Sequence, residues 1–323
     1  MAIPADRAGT GGGGAGGGSW VDLDRPPLSA PALRRALLAP AGPLTRLEVV
    51  ARAGSTNADL LAAAADPVAW PDLSALVADH QARGRGRSGR AWHTPPRAAV
   101  TASLLLRPAS PPPSWSWLPL LAGLGVVRAL RDVAGVPAAL KWPNDVLVAE
   151  PDAGPDPRPD GPDAPEGSGG EGGPGGEPVH GLRKVAGVLV EVAGPAVVVG
   201  VGVNVTQGRD ELPVPTATSL RLAGSATTDR DTVTRAVLRS VAAQYERWRA
   251  AGGDAVAAGI ADAVRESCVT LGRSVRVHRP GGSVLQGVAE GIDDDGRLLL
   301  RSPGGVDHAV SAGDVEHLRD ALP

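Results

Sequence analysis

KVAGVLVEVAGPAVVVGVGVN, residues 184–204, is almost unbroken β-branched and small apolar sequence, interrupted once at Gly194-Pro195. Two strands meeting there read as a hairpin, because Gly and Pro supply the turn. Gly187, Gly200 and Gly202 remove side chains where a ligand would approach the strands closely. Asn204 is the only polar group of the second strand. Lys184 opens the first, and half-burying an ammonium is costly unless an anion meets it. Gly200 and Gly202 look like the start of a dinucleotide fingerprint. No third glycine or following helix completes it, which excludes a Rossmann nucleotide site.

Outward from this hairpin the elements alternate. LSAPALRRALLAP (28–40) has helical spacing, with Ser29 and Pro31 suited to a helix start. LTRLEVVARAGSTN (44–57) reads as a strand entering a turn, and NADLLAAAAD (57–66) as a helix with Thr56 or Asn57 near its start. SALVADHQ and AAVTASLLLRP are strands, and WSWLPLLAGLGVVRALRDVAG is a buried helix. AALKWPNDVLVAE is a strand interrupted by a proline turn. DRDTVTRAVLRSVAAQYERWRA is a long amphipathic helix with an acidic first turn. From Cys268 onward, short strands separated by PGG and DDG turns predict a small barrel of about five strands.

The expected organisation is therefore a flexible Gly-rich tail over 1–26, ordered sequence from about Pro27, one domain over 27–267, and a small β domain over 268–323. Residues 151–178 hold Gly, Pro and acids with almost no apolar content. They are expected to form a disordered, dispensable surface insertion within the larger domain. The fold class is α+β: a mixed or antiparallel sheet with packed helices, followed by the small barrel.

Charge and composition narrow the function. A net charge of −3 argues against a general nucleic-acid or anionic-membrane binder, so any basic site must be local. One cysteine, Cys268, excludes an internal disulfide framework and fits a reducing cytoplasm. No run is long enough to span a membrane, and the N-terminus lacks the basic start and apolar core of a secretory signal.

Only two of the 32 basic residues are lysine, Lys141 and Lys184, and the chain has only three asparagines, Asn57, Asn144 and Asn204. In a chain biased toward Ala, Gly, Pro and Arg, these survivors mark places where a compact ammonium or a carboxamide is hard to replace. All five fall in three short motifs. In GSTN, Ser55, Thr56 and Asn57 sit at a strand-to-helix turn; one caps the helix, which leaves the others free for a polar ligand head. KWPNDV places Lys141, Asn144 and Asp145 at a strand end, where Pro143 fixes a turn that aims polar groups into a cleft. The third is the hairpin itself.

Between these motifs, RGRGRSGRAW (83–92) is the most concentrated basic segment. Its alternating glycines let backbone N–H groups face an anion while arginines add forked donors. A disordered loop of this kind could close over a phosphate or carboxylate. His80 and His93 flank it without zinc-like spacing, and no Ser-His-Asp order is present. With no nucleophile in evidence, such a site would hold two anionic reactants together and offset their charge, which suits nucleotidyl transfer.

Taken together, GSTN, DHQARGRGRSGRAW, LKWPNDVLV, KVAGVLVE and GVGVNV resemble, in order over roughly residues 45–210, the catalytic core of biotin–protein ligases (biotin–[acetyl-CoA-carboxylase] ligases). The resemblance implies a class II synthetase-like catalytic domain and an SH3-like C-terminal barrel. It implies that biotin and ATP-Mg²⁺ form biotinyl-5′-adenylate, and that biotin then passes to one lysine of a biotin carboxyl carrier domain of an acyl-CoA carboxylase. Carried over by motif, Ser55, Thr56, Asn57, Gln81, Gly84, Arg85, Gly86, Arg87, Lys184 and Gly187 would bind biotin. Arg87, Arg90, Trp92, Lys141, Asn144, Lys184 and Asn204 would bind ATP, with magnesium held through phosphates. Arg87, Lys184, Lys141 and Asp145 would be catalytic, Asp145 orienting or deprotonating the incoming lysine. The Gly-rich start cannot fold as a winged helix, so the expectation is the monofunctional type without DNA binding. The rival readings are a lipoate or octanoate protein ligase or transferase, and a biotin-responsive nucleic-acid-binding regulator.

Overall fold

A computed structural model of the chain describes residues 24–151 and 181–318. Most of the expected tail and nearly all of the expected insertion lie outside these residues. The described chain starts at Asp24, three residues before the expected Pro27. Arg25 is already buried, because Glu211 and the Thr206 carbonyl hold its guanidinium.

Seven strands form one sheet among the described residues: β1 (Arg46–Val50), β2 (Ser74–Ala78), β5 (Ala99–Leu106), β6 (Ala139–Lys141), β7 (Asp145–Ala149), β8 (Leu182–Ala193) and β9 (Ala196–Asn204). Their order is β1-β2-β5-β9-β8-β7-β6. Only β1 and β2 run parallel; every other pair is antiparallel. β8 and β9 pair from Ala186↔Val203 to Ala193↔Ala196, so Gly194-Pro195 is the two-residue turn that the sequence predicts. Two further strands, β3 (Gly84–Arg85) and β4 (Ala91–Trp92), form a separate small hairpin.

Alternation along β9 decides which face does what. Val197, Val199, Val201 and Val203 enter the main core. That core also takes Leu33 and Leu37 of α1 (Ala30–Leu37), α3 (Leu118–Ala129), and Val233, Val237, Leu238 and Val241 of α4 (Arg230–Ala250). Ser29 and Asp229 cap α1 and α4 as expected of helix starts. The opposite face of β9 reads Val198, Gly200, Gly202 and Asn204. Val198, with Ala196 before it, packs there in a smaller cluster with Leu60 of α2 (Thr56–Ala63) and Leu76 and Leu105. The rest of that face is left open as a floor. A further helix, α5 (Ile260–Ser267), which the sequence reading passed over, leads into the C-terminal unit.

That unit is a five-stranded antiparallel sheet of β10 (Ser274–His278), β11 (Val284–Ile292), β12 (Leu298–Arg301), β13 (Asp307–Val310) and β14 (Asp314–His317). The order β13-β12-β11-β10-β14 leaves β13 and β14 as unpaired edges, so the sheet does not close by hydrogen bonds into a barrel. It is fastened directly behind the KWPND turn. Val269 donates to the Leu140 carbonyl, Trp142 N–H to Thr270 Oγ1 at 3.0 Å, and the Trp142 indole to the Gly296 carbonyl at 3.2 Å. No described helix is long and apolar enough to cross a membrane.

His317 sits in this seam, 3.2 Å from Thr270 Oγ1, and burial together with the charges of Lys141 and Arg273 pushes its pKa down to about 3. The folded protein binds this proton far less readily than the unfolded chain, whose histidine titrates near 6.5. Stability is therefore full above the unfolded value and falls as pH drops below it. Between pH 6.5 and 5 the loss from this one group is about 2 kcal/mol. Thermal melts over that range should show it, and His317→Gln should flatten the dependence.

Candidate active site

The open face of β8 and β9 is the floor of a cleft of about 530 Å³ that all three motifs and the arginine segment line. Its geometry follows from the glycines. A Cβ at Gly200 would overlap the Asn57 carboxamide, and one at Gly202 would lie 2.6 Å from the Trp92 ring. At Gly84 it would overlap the Trp92 carbonyl, and at Gly187 it would crowd Lys184 and Trp92. Asn57 and the Trp92 indole therefore reach the floor only because these positions carry no side chain.

One end of the cleft is a hydrogen-bonded polar nest. Ser55 is the cap of α2, accepting from Ala58 N–H at 3.4 Å. Thr56 N–H donates to Gln81 Oε1 at 2.8 Å, while Thr56 Oγ1 lies 3.0 Å from Gln81 Oε1 and 2.7 Å from Ser103 Oγ. Ser103 Oγ lies 2.6 Å from Asn57 Oδ1, and the Asn57 amide donates to Leu189 carbonyl and, at 2.9 Å, to Glu191. This corrects the expectation that capping leaves two of the three GSTN side chains free. All three are engaged, and buried Asn57 braces α2 against β8. Ser103 belongs to the nest although no motif marked it; its signal was a hydroxyl inside an otherwise apolar strand.

The middle of the cleft is cationic. Lys184 Nζ pairs with Asp145 Oδ1 at 2.7 Å and stands 5.9 Å from the Trp92 ring centroid. The anion that a half-buried Lys184 requires is thus Asp145, from the next strand. Lys141 is driven below the ordinary lysine value by burial and by Lys184, with Asp145, Glu316 and Asp314 opposing the shift. Arg87 donates to Asn144 Oδ1 at 2.7 Å; burial lowers its pKa, partly offset by Asp314 and Asp145, yet a guanidinium keeps its charge at neutral pH. The Trp92 indole N–H is buried with no partner, an unsatisfied donor in the cleft wall.

The arginine segment is not the disordered loop expected from its composition. β3 and β4 pair, and Gly86 N–H bonds the Arg90 carbonyl at 2.7 Å. Ser88 and Gly89 turn the tip with φ of 54° and 75°. The tip is fastened to the C-terminal sheet, Arg87 to the Gly313 carbonyl and Arg90 to Asp314 at 2.8 Å. Arg85, at its base, faces Glu191 at 3.7 Å.

The far end is built by residues the sequence reading missed. Leu147, Leu182, Pro213, Val214, Thr216 and Ala217 form a mainly apolar wall. Asn204 lines it, but its amide already donates to the Thr218 carbonyl and its oxygen accepts from Gln207. Among the described residues no group of three or more His, Cys, Asp or Glu could hold a metal ion. Hence the arrangement suits a long ligand with a hydrogen-bonding head, an anionic middle and a flat apolar tail.

Similarity to known proteins agrees with this division. The model of the Biotin/lipoate A/B protein ligase family matches residues 50–206, and that of the Biotin protein ligase C terminal domain matches residues 270–318. The chain is 42% identical to a biotin--[acetyl-CoA-carboxylase] ligase of Mycobacterium tuberculosis, over 92% of this chain and 98% of that protein. The chain belongs to the biotin protein ligases. The bifunctional ligase/repressor BirA of Bacillus subtilis is a more distant ligase relative, 30% identical over 76% of this chain and 66% of its own. The fold of this ligase superposes on biotin protein ligase from Aquifex aeolicus, solved in complex with biotin and ATP, with a TM-score of 0.63 and 26% identity, covering 86% of this chain and all of that one.

The floor argument makes a direct test possible. In Gly202→Val, the new side chain occupies the place of the indole and should expel Trp92. A red shift of tryptophan emission and faster protease cleavage within 83–92 are expected. Unchanged emission would mean that Trp92 does not rest on this strand.

Proposed function

We propose that this ligase makes biotinyl-5′-adenylate from biotin and ATP, and then moves the biotinyl group to one lysine of the biotin carrier domain of an acyl-CoA carboxylase. The observation that carries it is the order along one cleft: polar nest, three cations, apolar wall. The ureido ring of biotin would meet Ser55, Thr56 and Gln81, with Asn57 and Ser103 bracing them. Its valeryl chain would run past Gly187 alongside the Trp92 indole, beneath the hairpin of Gly84, Arg85 and Gly86. The carboxylate and α-phosphate would meet at Lys184 and Arg87, with Lys141 and Asn144 beside the remaining phosphates. The nucleoside would lie against Asn204 and the 213–217 wall, with Arg90 fixing the strap.

In the first step a biotin carboxylate oxygen bonds to the α-phosphorus, and the bond to the β-phosphate oxygen breaks, releasing pyrophosphate. Charge grows on phosphate oxygens within reach of Lys184, Arg87 and Lys141. Magnesium fits as part of the ATP substrate, carried on its phosphates, and would add charge neutralisation there. In the second step a neutral lysine amine bonds to the acyl carbon, AMP leaves, and the amine gives up a proton. Asp145 is the carboxylate closest to this point; while paired with Lys184 it orients more readily than it deprotonates. The single cysteine and the absence of a membrane-crossing helix among the described residues support a cytoplasmic site of action.

Mixing the protein with biotin, MgATP and a carrier domain should add one biotinyl mass to the carrier; lipoate in place of biotin should not. Lys184→Ala and Arg87→Ala should each slow pyrophosphate release by about 10²–10³-fold while the melting temperature holds. If both variants keep wild-type rates, the assignment of the cationic middle is wrong. Since burial depresses Lys141, its charge is lost at lower pH than the 10.5 of a free lysine. The KM for ATP should accordingly climb on the alkaline side, and Lys141→Arg should remove that rise.

A further inference from the structure

Two carboxylates outside the cleft lining converge on the segment that forms the apolar wall. Glu150, at the end of β7, has a carboxylate only 8% exposed. It takes an ion pair from Arg209, a hydrogen bond from Thr218 Oγ1 at 2.7 Å, and stands 3.7 Å from Arg183. Arg209 passes the restraint on, donating to the Ala217 carbonyl at 2.7 Å. Glu211 receives both arms of Arg25, at 2.9 and 2.5 Å, and also accepts from Gly208 N–H at 2.9 Å. Arg25 adds a bond to the Thr206 carbonyl at 3.2 Å. Residues 206–218 are thereby fastened from two independent directions.

The fastened segment is also joined to the reacting centre. Lys184 N–H donates to the Thr216 carbonyl and Thr218 N–H to the Lys184 carbonyl, both at 2.8 Å. Strand register gives the distance from the polar nest. Gly200 lies at Asn57, Gly202 under Trp92, and Asn204 at Thr218. Four residues of strand separate the two ends by roughly 13 Å. A disturbance of the wall is therefore felt at the nucleotide end long before it reaches the ureido end.

We infer that Glu150 and Glu211 are positioning residues for the nucleotide: through Arg209 and Arg25 they hold the 213–218 wall against the strand that carries Lys184. The inference rests on the function proposed above. Each of these charge-assisted pairs has one largely buried partner, Glu150 or Arg25, which is left without compensation when the pair is broken. The change is transmitted through backbone carbonyls of the wall, since neither glutamate lines the cleft.

The test measures MgATP and biotin binding separately by calorimetry on folded wild type, Glu150→Gln, Glu211→Gln, Arg25→Gln and Arg25→Lys, with adenylate formation followed in parallel. Each glutamine variant should bind MgATP about 10-fold more weakly and biotin within twofold of wild type, with Arg25→Lys recovering part of the loss. Unaltered MgATP affinity in the folded variants, or equal weakening of both ligands, overturns the inference. If Glu150→Gln does not fold, the Glu211 and Arg25 variants decide it. Wild type that binds both ligands yet forms no adenylate would overturn the proposed function, while the binding comparison still judges the two staples.

Discussion

The site depends on one geometric constraint: successive side chains of a strand point to opposite faces. β9 spends one face on Val197, Val199, Val201 and Val203, which anchor the sheet to the helical layer. That leaves Gly200, Gly202 and Asn204 on the other face, where the two glycines add no side chain of their own to the cleft. A register slip of one residue would place the valines in the cleft and the glycines in the core. The continuous valine packing thus fixes the floor of the cleft as well as the stability of the sheet. The same glycines let Asn57 and Trp92 approach the strand, and these two groups define the walls on either side.

Charge in the cleft is arranged around this floor with a deliberate surplus. Lys141, Lys184 and Arg87 gather near one carboxylate, Asp145, whose closest contact is with Lys184. Asp145 and Asp314 moderate the repulsion among the cations, and in the proposed reaction phosphate oxygens would replace them. A compact ammonium suits this exchange, because it can turn from carboxylate to phosphate without losing a fixed fork geometry. This accounts for the survival of lysine at positions 141 and 184 in a chain that otherwise uses arginine.

Much of this was readable from residues, and what was not has a common cause. The hairpin turn, the strand-turn-strand of KWPNDV, the capped helices and the five short C-terminal strands are local patterns, and local patterns survive in sequence. Ser103, Glu191, Asp314 and the 213–217 wall contribute through contacts between distant parts of the chain. Arg87 meets Gly313 across 226 positions and Asn57 meets Glu191 across 134. No periodicity encodes such a meeting. The arginine segment failed differently: its composition reads as disorder, and its order comes from the β3–β4 pairing, backbone bonds at its tip and the C-terminal sheet. GSTN was read as partly free because a capping argument counts only the helix, whereas β5 and β8 claim the remaining groups.

The C-terminal sheet is accordingly part of the candidate site rather than an appendage to it. It grips Trp142 from behind through Thr270 and Gly296, and grips the arginine strap from above through Gly313 and Asp314. Lys141 and Asn144 flank the first grip, and Arg87 and Arg90 form the second. Both sides of the cationic middle are therefore positioned by the same five strands. Arg87 joins the two grips, because one arm of its guanidinium bonds Asn144 and the other the Gly313 carbonyl.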